Sequence, residues 1–419
     1  MSKLRWLEIT SFRNVVPGTR IEFSDGMNVL LGKNGTGKTN LLHLISMAIR
    51  ADFSDARAEP FEIGLKLEDG GGWDLQVRLK NIRLLAPGVG SPGSENQAPG
   101  PTFDLSSNAV LRSEELGVLE VAVEEGVAKA TLNGTALEGL PRWATRSVLD
   151  GVMCAWLEVR DLSNNVGGAP AFFTLTLEPA FRFDERLLAF EAMHGRGESS
   201  LSSPPGASLR VTRWPSGEAS TAWQDRFLPP VLAMSCLDSA PLPGEAREYE
   251  CQAGVLMGLE KVVWIPRLEE KSQKEGRVHE LYSAFDFGCV TPAGGYLSDE
   301  KLSFGEKRLL AFFYYLDANP NFVIADELAN GLHYDWIEAA LDALGHRQSF
   351  LTSQNSLLLD FLPVSSAEEA SRLFIRCEHS EERKWRWSNF TEKEGQEFYR
   401  DLSVGVEHVS QILRTRGLW

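Results

Sequence analysis

Eight residues near the start of the chain, Gly32-Lys33-Asn34-Gly35-Thr36-Gly37-Lys38-Thr39, fit the pattern G-x-x-x-x-G-K-[ST]. A glycine-rich loop of this kind turns its backbone N–H groups inward around the α- and β-phosphates of a nucleotide. The helix that follows adds the partial positive charge of its N-terminus. Lys38 is placed to reach the β- and γ-phosphates, and the Thr39 hydroxyl to ligand Mg²⁺. Asn34, Gly35, Thr36, Gly37 and Asn40 complete the expected contact surface for ATP. A chance glycine-rich turn would lack the right neighbours, and here both are present. The apolar stretch Met27 to Leu31 reads as a strand before the loop, and Leu41, Leu42, Ile45 and Ile49 recur at helical spacing behind it.

A second constellation lies about 270 residues later. Asn321-Phe322-Val323-Ile324-Ala325-Asp326-Glu327 is an apolar strand ending in two carboxylates. Asp326, at the strand's C-terminal edge, is the expected second Mg²⁺ ligand, and Glu327 the general base that polarises an attacking water. Taken alone, this segment fits an acidic helix cap after a core strand better than a catalytic pair. Its neighbour reverses that preference: Leu302-Ser303-Phe304-Gly305-Glu306-Lys307-Arg308 is a Ser-Phe-Gly turn opening a helix shortly before the strand.

Leu302 to Arg308 resembles the signature motif of ABC-type ATPases. The resemblance implies that Ser303, Phe304, Gly305 and Glu306, at that helix N-terminus, meet the γ-phosphate held by a second subunit, so that ATP is sandwiched between two heads. Ser11-Phe12-Arg13-Asn14, after the first strand, resembles the opening of RecF, SMC and OLD-type heads. Asp326-Glu327-Leu328-Ala329-Asn330-Gly331-Leu332-His333 is similar to a run found in OLD-like and related AAA-type ATPases, whereas transporter subunits usually carry Asp in the place of His333. The two halves of the motif set stand about 260 residues apart, as in heads with an inserted middle. The likeness covers residues 1–50 and 290–365 well, the last 50 loosely and the middle hardly at all. It implies an α/β fold, a P-loop NTPase of ABC-head type, with a mostly parallel central sheet, an antiparallel N-terminal sheet and an inserted middle region.

The chain departs from these families in one place. Where they usually carry a histidine that senses the γ-phosphate, the run is Thr352-Ser353-Gln354-Asn355-Ser356. Gln354 can hydrogen-bond phosphate or water but cannot titrate or become cationic, which predicts slow or partner-dependent hydrolysis. Gln76 is the candidate for the glutamine of the Q-loop.

The elements that must position these residues are legible at both ends of the chain. Residues 4–10 alternate with period two, residues 21–23 read as a short strand, and residues 61–67 and 73–79 as a hairpin across Asp69-Gly70-Gly71-Gly72. Residues 119–123 and 128–132 read as another hairpin. A flexible loop is expected over 86–104 and a loose region over 195–217, both crowded with Pro, Gly and Ser. Residues 137–225 carry no readable motif, and sustained heptads are absent, so no long coiled-coil arm is expected. Toward the end, residues 302–316 and 336–344 read as helices and 322–325 and 349–352 as strands, an alternation that argues for a parallel sheet. A final helix is expected with Phe398, Leu402, Val406, Val409 and Leu413 on one side, against the objection of Gly405. The expected division is an N-terminal lobe over 1–136, an inserted middle over 137–289, a C-terminal lobe over 290–365 and a tail over 366–419 that packs on the head or a partner.

Composition bounds the function. The chain has 419 residues, 43% hydrophobic and 24% charged, with no apolar run long enough to span a bilayer and no signal-peptide pattern at its start. Its five cysteines, Cys154, Cys236, Cys251, Cys289 and Cys377, are scattered and form no C-x-x-C pair, which suits buried thiols in a reducing cytoplasm. A formal net charge of −16 leaves DNA contact only to a local patch or a dimer groove. His333 and His43 have no second His or Cys at ligand spacing and read as core or interface residues. Trp385-Arg386-Trp387 reads as a strand with one buried and one edge tryptophan, and the charged residues from Lys271 to Arg277 as a solvated helix face.

The expected function is a cytoplasmic ABC-type ATPase whose ATP-driven dimerisation, or higher homo-oligomerisation, controls a separate effector protein in anti-phage defence. A RecF-like DNA-binding ATPase is the first rival and would use a basic patch in the middle region. A transporter ATPase subunit is disfavoured by the Phe12-Arg13 opening and by His333, and no membrane partner is expected. A nuclease within residues 105–260 is disfavoured by the lack of acidic and histidine residues at metal spacing.

Overall fold

The computed structural model describes residues 1–84, 102–162, 169–170, 173, 182–184, 209–213, 219–223 and 244–418, apart from 125, 139, 142–146, 246–247, 275, 299–300 and 406–407. The loop expected over 86–104 and the loose region over 195–217 fall largely outside the described residues. Where the second is described, residues 209–213 form a strand and not a loop. The chain divides into two compact units: residues 1–180, 346–352 and 362–419 in the first, and 181–345 with 353–361 in the second.

The first unit holds an antiparallel sheet of eight strands, ordered β2-β1-β4-β5-β6-β7-β8-β9. Its members are β1 (Ser2–Phe12), β2 (Thr19–Glu22), β4 (Phe61–Asp69), β5 (Asp74–Leu84), β6 (Thr102–Ser113), β7 (Gly117–Glu124), β8 (Val127–Leu132) and β9 (Thr135–Leu137). In β1 the period-two expectation fails, for a physical reason. Leu4, Leu7, Ile9 and Phe12 are the buried apolar residues, at spacings of three, two and three, because β-bulges against β4 between Leu4 and Trp6 and between Ile9 and Ser11 reset the phase. Each bulge spends one residue without changing which face the next apolar side chain meets. In β4 and β5 the apolar residues alternate, burying Phe61, Ile63, Leu65 and Leu67 and then Leu75, Val77 and Leu79. The hairpin expected around residue 70 is present, in the register Leu67 opposite Leu75. α2 (Val148–Leu162) packs on β6, β7 and β8, so the stretch without a readable motif contains a helix.

A second sheet in this unit carries the strand that feeds the glycine loop. β3 (Met27–Leu31) lies between β17 (Gln348–Leu351) and β18 (Phe374–His379), parallel to both, and β19 (Trp385–Asn389) closes β18 into an antiparallel hairpin. Parallel strands covered on both faces read as continuous apolar runs, which is why Val29, Leu30 and Leu31 are all buried. Polar groups inside are paired: the buried Gln348 amide exchanges hydrogen bonds with the backbone of Leu4 at 2.8 and 2.9 Å and donates to Ser24 O at 2.6 Å. α1 (Lys38–Arg50) is buried at Leu44, Met47 and Ala48 as well as at Leu41, Leu42, Ile45 and Ile49, so more than one of its faces is covered.

The chain's end forms α7 (Ala367–Leu373), α8 (Glu392–Ser403) and α9 (Val409–Thr415). The single terminal helix expected from the sequence is two helices. Gly405 adopts φ +70° and ends the first, while Phe398 and Leu413 are fully buried, one on each side of the break. Val406 lies outside the described residues. Arg416 ties α9 to α8 through Asp401 at 2.6 Å.

The second unit contains a separate sheet, ordered β11-β10-β14-β13-β12 with β15 on β14. Its strands are β10 (Leu209–Arg213), β11 (Ala219–Trp223), β12 (Gly244–Glu245), β13 (Lys261–Lys274), β14 (Arg277–Val290) and β15 (Tyr296–Ser298). The charged run from Lys271 to Arg277 is therefore the tip of a long hairpin and not a helix face. Lys271 pairs across it with Glu280 at 2.8 Å. α3 (Glu248–Leu256), α4 (Phe304–Ala318), β16 (Phe322–Ala325), α5 (Tyr334–Asp342) and α6 (Ser356–Asp360) complete the unit. All four residues of β16 are buried, and Phe183, Phe312 and Tyr315 cluster with ring centroids 5.3 to 6.3 Å apart. No helix among the described residues is long and apolar enough to cross a membrane.

Candidate functional site

In the first unit the loop from Gly32 to Gly37 joins β3 directly to α1. Gly35 and Gly37 both sit at φ +84°, a left-handed conformation that side chains strongly disfavour. Gly32 is required for a different reason: a Cβ there would penetrate the carbonyl oxygen of Cys377 on β18. The Lys38 ammonium lies across the loop, donating to Gly32 O at 2.6 Å and Lys33 O at 3.2 Å. Thr36 is buried and braces the turn by donating its hydroxyl to Lys33 O at 2.7 Å. Asn34, Gly35 and Thr39 are exposed, and Asn40 is half-buried.

The opening motif is tied to this loop. Arg13, at φ +43°, donates to the Asn40 amide oxygen at 2.8 Å and forks onto Glu59 at 2.6 to 3.1 Å. Hydrogen bonding from Arg13 holds the Glu59 carboxyl below its ordinary range. Trp385 and Trp387 are also part of the arrangement, which sequence reasoning missed. Trp387 is buried and Trp385 half-buried, the expected pairing, yet both indoles donate to the loop: Trp385 Nε1 to Gly35 O at 3.0 Å and Trp387 Nε1 to Thr36 O at 3.1 Å. No sequence signal for this exists beyond two tryptophans at strand spacing.

Cys377 is a buried free thiol whose carbonyl touches the loop, and burial pushes its pKa up to about 12. It should stay unreactive toward an uncharged maleimide at pH 8 in the folded protein and become reactive on unfolding. Above pH 9 the unfolded chain ionises this thiol while the folded chain does not, so its ionisation lowers stability as pH rises from there. Labelling of native Cys377 at the rate of a free thiol, read by mass spectrometry, would contradict this placement.

The second unit brings together three stretches that are far apart in sequence. Ser303 caps α4 in a reciprocal capping box: Glu306 N–H donates to Ser303 Oγ at 3.3 Å, and Ser303 N–H to the Glu306 carboxylate at 2.6 Å. Gly305 packs so closely on Gly331 that a Cβ would meet its carbonyl oxygen, and Gly331 in turn is covered by the Phe304 ring. Phe304 is nonetheless 56% exposed, large for an aromatic residue, and Tyr334 is 55% exposed. Four residues into the helix, the buried Arg308 reaches the end of β16, donating to Leu328 O at 3.2 Å, to Asp326 O at 3.4 Å and to Glu327 O. Arg308 thereby ties the helix that opens at the signature-like turn to the strand end that carries the two carboxylates.

Glu327 stands at φ +53°, unusual for a residue with a long side chain. Its Oε2 accepts the backbone N–H of Gln354 at 2.8 Å. Contact between these two positions therefore runs through the main chain, and the Gln354 side chain is exposed. Asp326 is half-buried, as is Asp184 nearby, which is paired with Arg182 and kept above its usual carboxyl range by burial, with a further push from Asp326. Thr39 in the first unit and Asp326 in the second each carry a hard oxygen donor of the kind Mg²⁺ accepts. Asn355 caps α6 by accepting from Leu357 N–H at 3.0 Å.

Other expectations need correction. Gln76 lies within β5, in register between Lys66 on β4 and Val110 on β6, and not in a loop. His333, expected in a core or interface role, is an exposed helix cap with its ring 5.1 Å from that of Trp336, which removes only the core half of that expectation. His43 is half-buried, 3.5 Å from Asp55.

Residues 6–72 match the family model described as an AAA domain. No curated protein matches the sequence. Among solved structures, the chain is similar to the SMC head domain from Thermotoga maritima, at 11% identity and a TM-score of 0.38, covering 93% of this chain and 99% of that one. It is similar also to the Pyrococcus furiosus Smc head domain with an extended coiled coil, bound to the C-terminal domain of ScpA, at 12% identity and a TM-score of 0.39, covering 96% and 100%. The recombination mediator RecF of the RecFOR pathway matches at 13% identity and a TM-score of 0.29, covering 85% and 94%. The match to an AAA domain spans the glycine loop with its flanking strand and helix, and agrees with the nucleotide-binding motif read there.

Proposed function

We propose that the chain binds and hydrolyses ATP with Mg²⁺, and that ATP-dependent dimerisation of two copies controls a separate effector protein in anti-phage defence. The observation that carries the ATPase reading is the loop itself, a left-handed glycine turn between β3 and α1 with the Lys38 ammonium lying across it. Thr39 and Asp326 would hold Mg²⁺, which supplies charge neutralisation at the phosphates when bound. Glu327 acts as general base, its carboxylate aimed by the Gln354 N–H and its backbone fixed by Arg308. Ser303, Phe304, Gly305 and Glu306 would meet the γ-phosphate of the partner copy's ATP, and the exposure of Phe304 suits a face that becomes covered. The role in defence rests on the run from Asp326 to His333 and its likeness to OLD-type ATPases.

Gln354 sets the rate in this proposal. With a neutral amide where a histidine is usual, hydrolysis is slow, and a nucleotide-bound dimer persists long enough to signal. In single-turnover measurements with Mg²⁺ and ATP, Gln354→His is expected to hydrolyse about tenfold or more faster than wild type, in line with a gain of acid–base chemistry. A variant no faster than wild type would refute this role for Gln354. Bound ATP that neither protein ever hydrolyses would refute the ATPase reading.

A further inference from the structure

From the geometry we infer that the β18–β19 hairpin is the template that shapes the phosphate loop, with Trp385 and Trp387 as positioning residues for the nucleotide's phosphates. This rests on the nucleotide reading of the loop and extends it to residues outside every motif. The argument starts from the planarity of the peptide unit. In a trans peptide the carbonyl of one residue and the N–H of the next point in opposite directions. Fixing a carbonyl on one side of a loop therefore fixes the following N–H on the other.

Two consecutive carbonyls are fixed in this way. Gly35 O accepts from Trp385 Nε1 at 3.0 Å, and Thr36 O from Trp387 Nε1 at 3.1 Å. Both indoles come from one strand, two residues apart, and therefore project from the same face of β19. Their rings stack with centroids 6.0 Å apart at 14°, so each limits the freedom of the other. With both carbonyls drawn toward the hairpin, the N–H groups of Thr36 and Gly37 are turned away from it, that of Thr36 onto Lys33 O at 3.4 Å, a long bond that an arriving phosphate oxygen would replace. Loops of this type bind phosphate with N–H groups turned inward.

Packing supports the same conclusion. A Cβ on Gly37 would come within 2.7 Å of the Trp385 ring, so the indole lies flat against the glycine where the loop becomes the helix. β18 closes the other end, where the Cys377 carbonyl excludes any side chain at Gly32. Trp385 is itself held by its backbone, donating its N–H to Asn14 O at 2.8 Å and accepting from Val16 N–H at 2.9 Å. Asn14 Nδ2 in turn donates to Arg383 O at 3.1 Å. The opening motif thus supports the hairpin, and the hairpin the loop. A loop held in its binding conformation loses less entropy when nucleotide arrives, which strengthens binding without a direct contact.

The test compares Trp385→Phe with wild type. Phenylalanine keeps an aromatic ring against Gly37 and removes only the donor. Removing one such hydrogen bond is expected to weaken ATP and ADP binding about fivefold to tenfold, measured by calorimetry. Adenosine, which carries no phosphate, should bind equally to both proteins, and the melting temperature should change by only a few degrees. A general loss of fold would instead weaken binding of ATP, ADP and adenosine alike. As a second readout, the fluorescence difference between wild type and Trp385→Phe isolates one of the chain's 11 tryptophans. It should change on addition of ATP and not of adenosine. Unchanged ATP affinity in Trp385→Phe, with wild type binding ATP, would overturn this inference and leave the nucleotide reading intact. Failure of wild type itself to bind ATP would overturn both.

Discussion

Lys38→Ala is expected to lose ATP binding while keeping the fold. Among the described residues the Lys38 ammonium is held by loop carbonyls, Gly32 O and Lys33 O, so its removal strands no opposite charge there. In the nucleotide complex the same group would face the β- and γ-phosphates, where charge-assisted hydrogen bonds contribute about 1.5–3 kcal/mol each. Losing two of them corresponds to a fall in affinity of at least about a hundredfold. Calorimetry with ATP should show that loss, and circular dichroism a melting curve close to wild type. Binding within about threefold of wild type would mean that residues 32–39 are not the phosphate site.

Glu327→Gln should do the opposite, keeping ATP bound and stopping its hydrolysis. The amide is nearly the same size as the carboxylate and its oxygen can still accept the Gln354 N–H, so the turn at φ +53° should hold. It cannot take a proton from water. A general base is worth about a hundredfold to ten-thousandfold in rate, and turnover should fall within that range. Nucleotide affinity, measured with a non-hydrolysable analogue, should change little. Turnover close to wild type would show that another group activates the water, and the positioning of Glu327 by Arg308 and Gln354 would then need a different explanation.

The glycine loop between strand and helix was legible in sequence because its conformation is set locally. Eight consecutive residues set its glycine conformations, and its two neighbours have clear periodicities. Glu327 and Ser303 were legible through resemblance more than through physics, since an acidic strand end and a capping box are common in any α/β protein. Contacts bridging distant residues could not be read. Arg308 looks like an ordinary helix cation until it is seen against the carbonyls of residues 326–328. Trp385 and Trp387 lie about 350 residues beyond the loop they touch. The errors in secondary structure have similar causes. A bulged strand hides its period, a glycine in the left-handed region splits an otherwise continuous apolar face, and a charged hairpin tip has the composition of a helix surface.

The most direct test of the proposed function is the molar mass of Glu327→Gln, measured by light scattering on a gel-filtration column with and without ATP and Mg²⁺. Without nucleotide the protein should elute at the mass of one chain, 46.4 kDa. With ATP it should elute at twice that mass. A mass that ATP leaves unchanged, in a variant that demonstrably binds the nucleotide, would contradict the ATP-sandwiched dimer on which the proposed function depends.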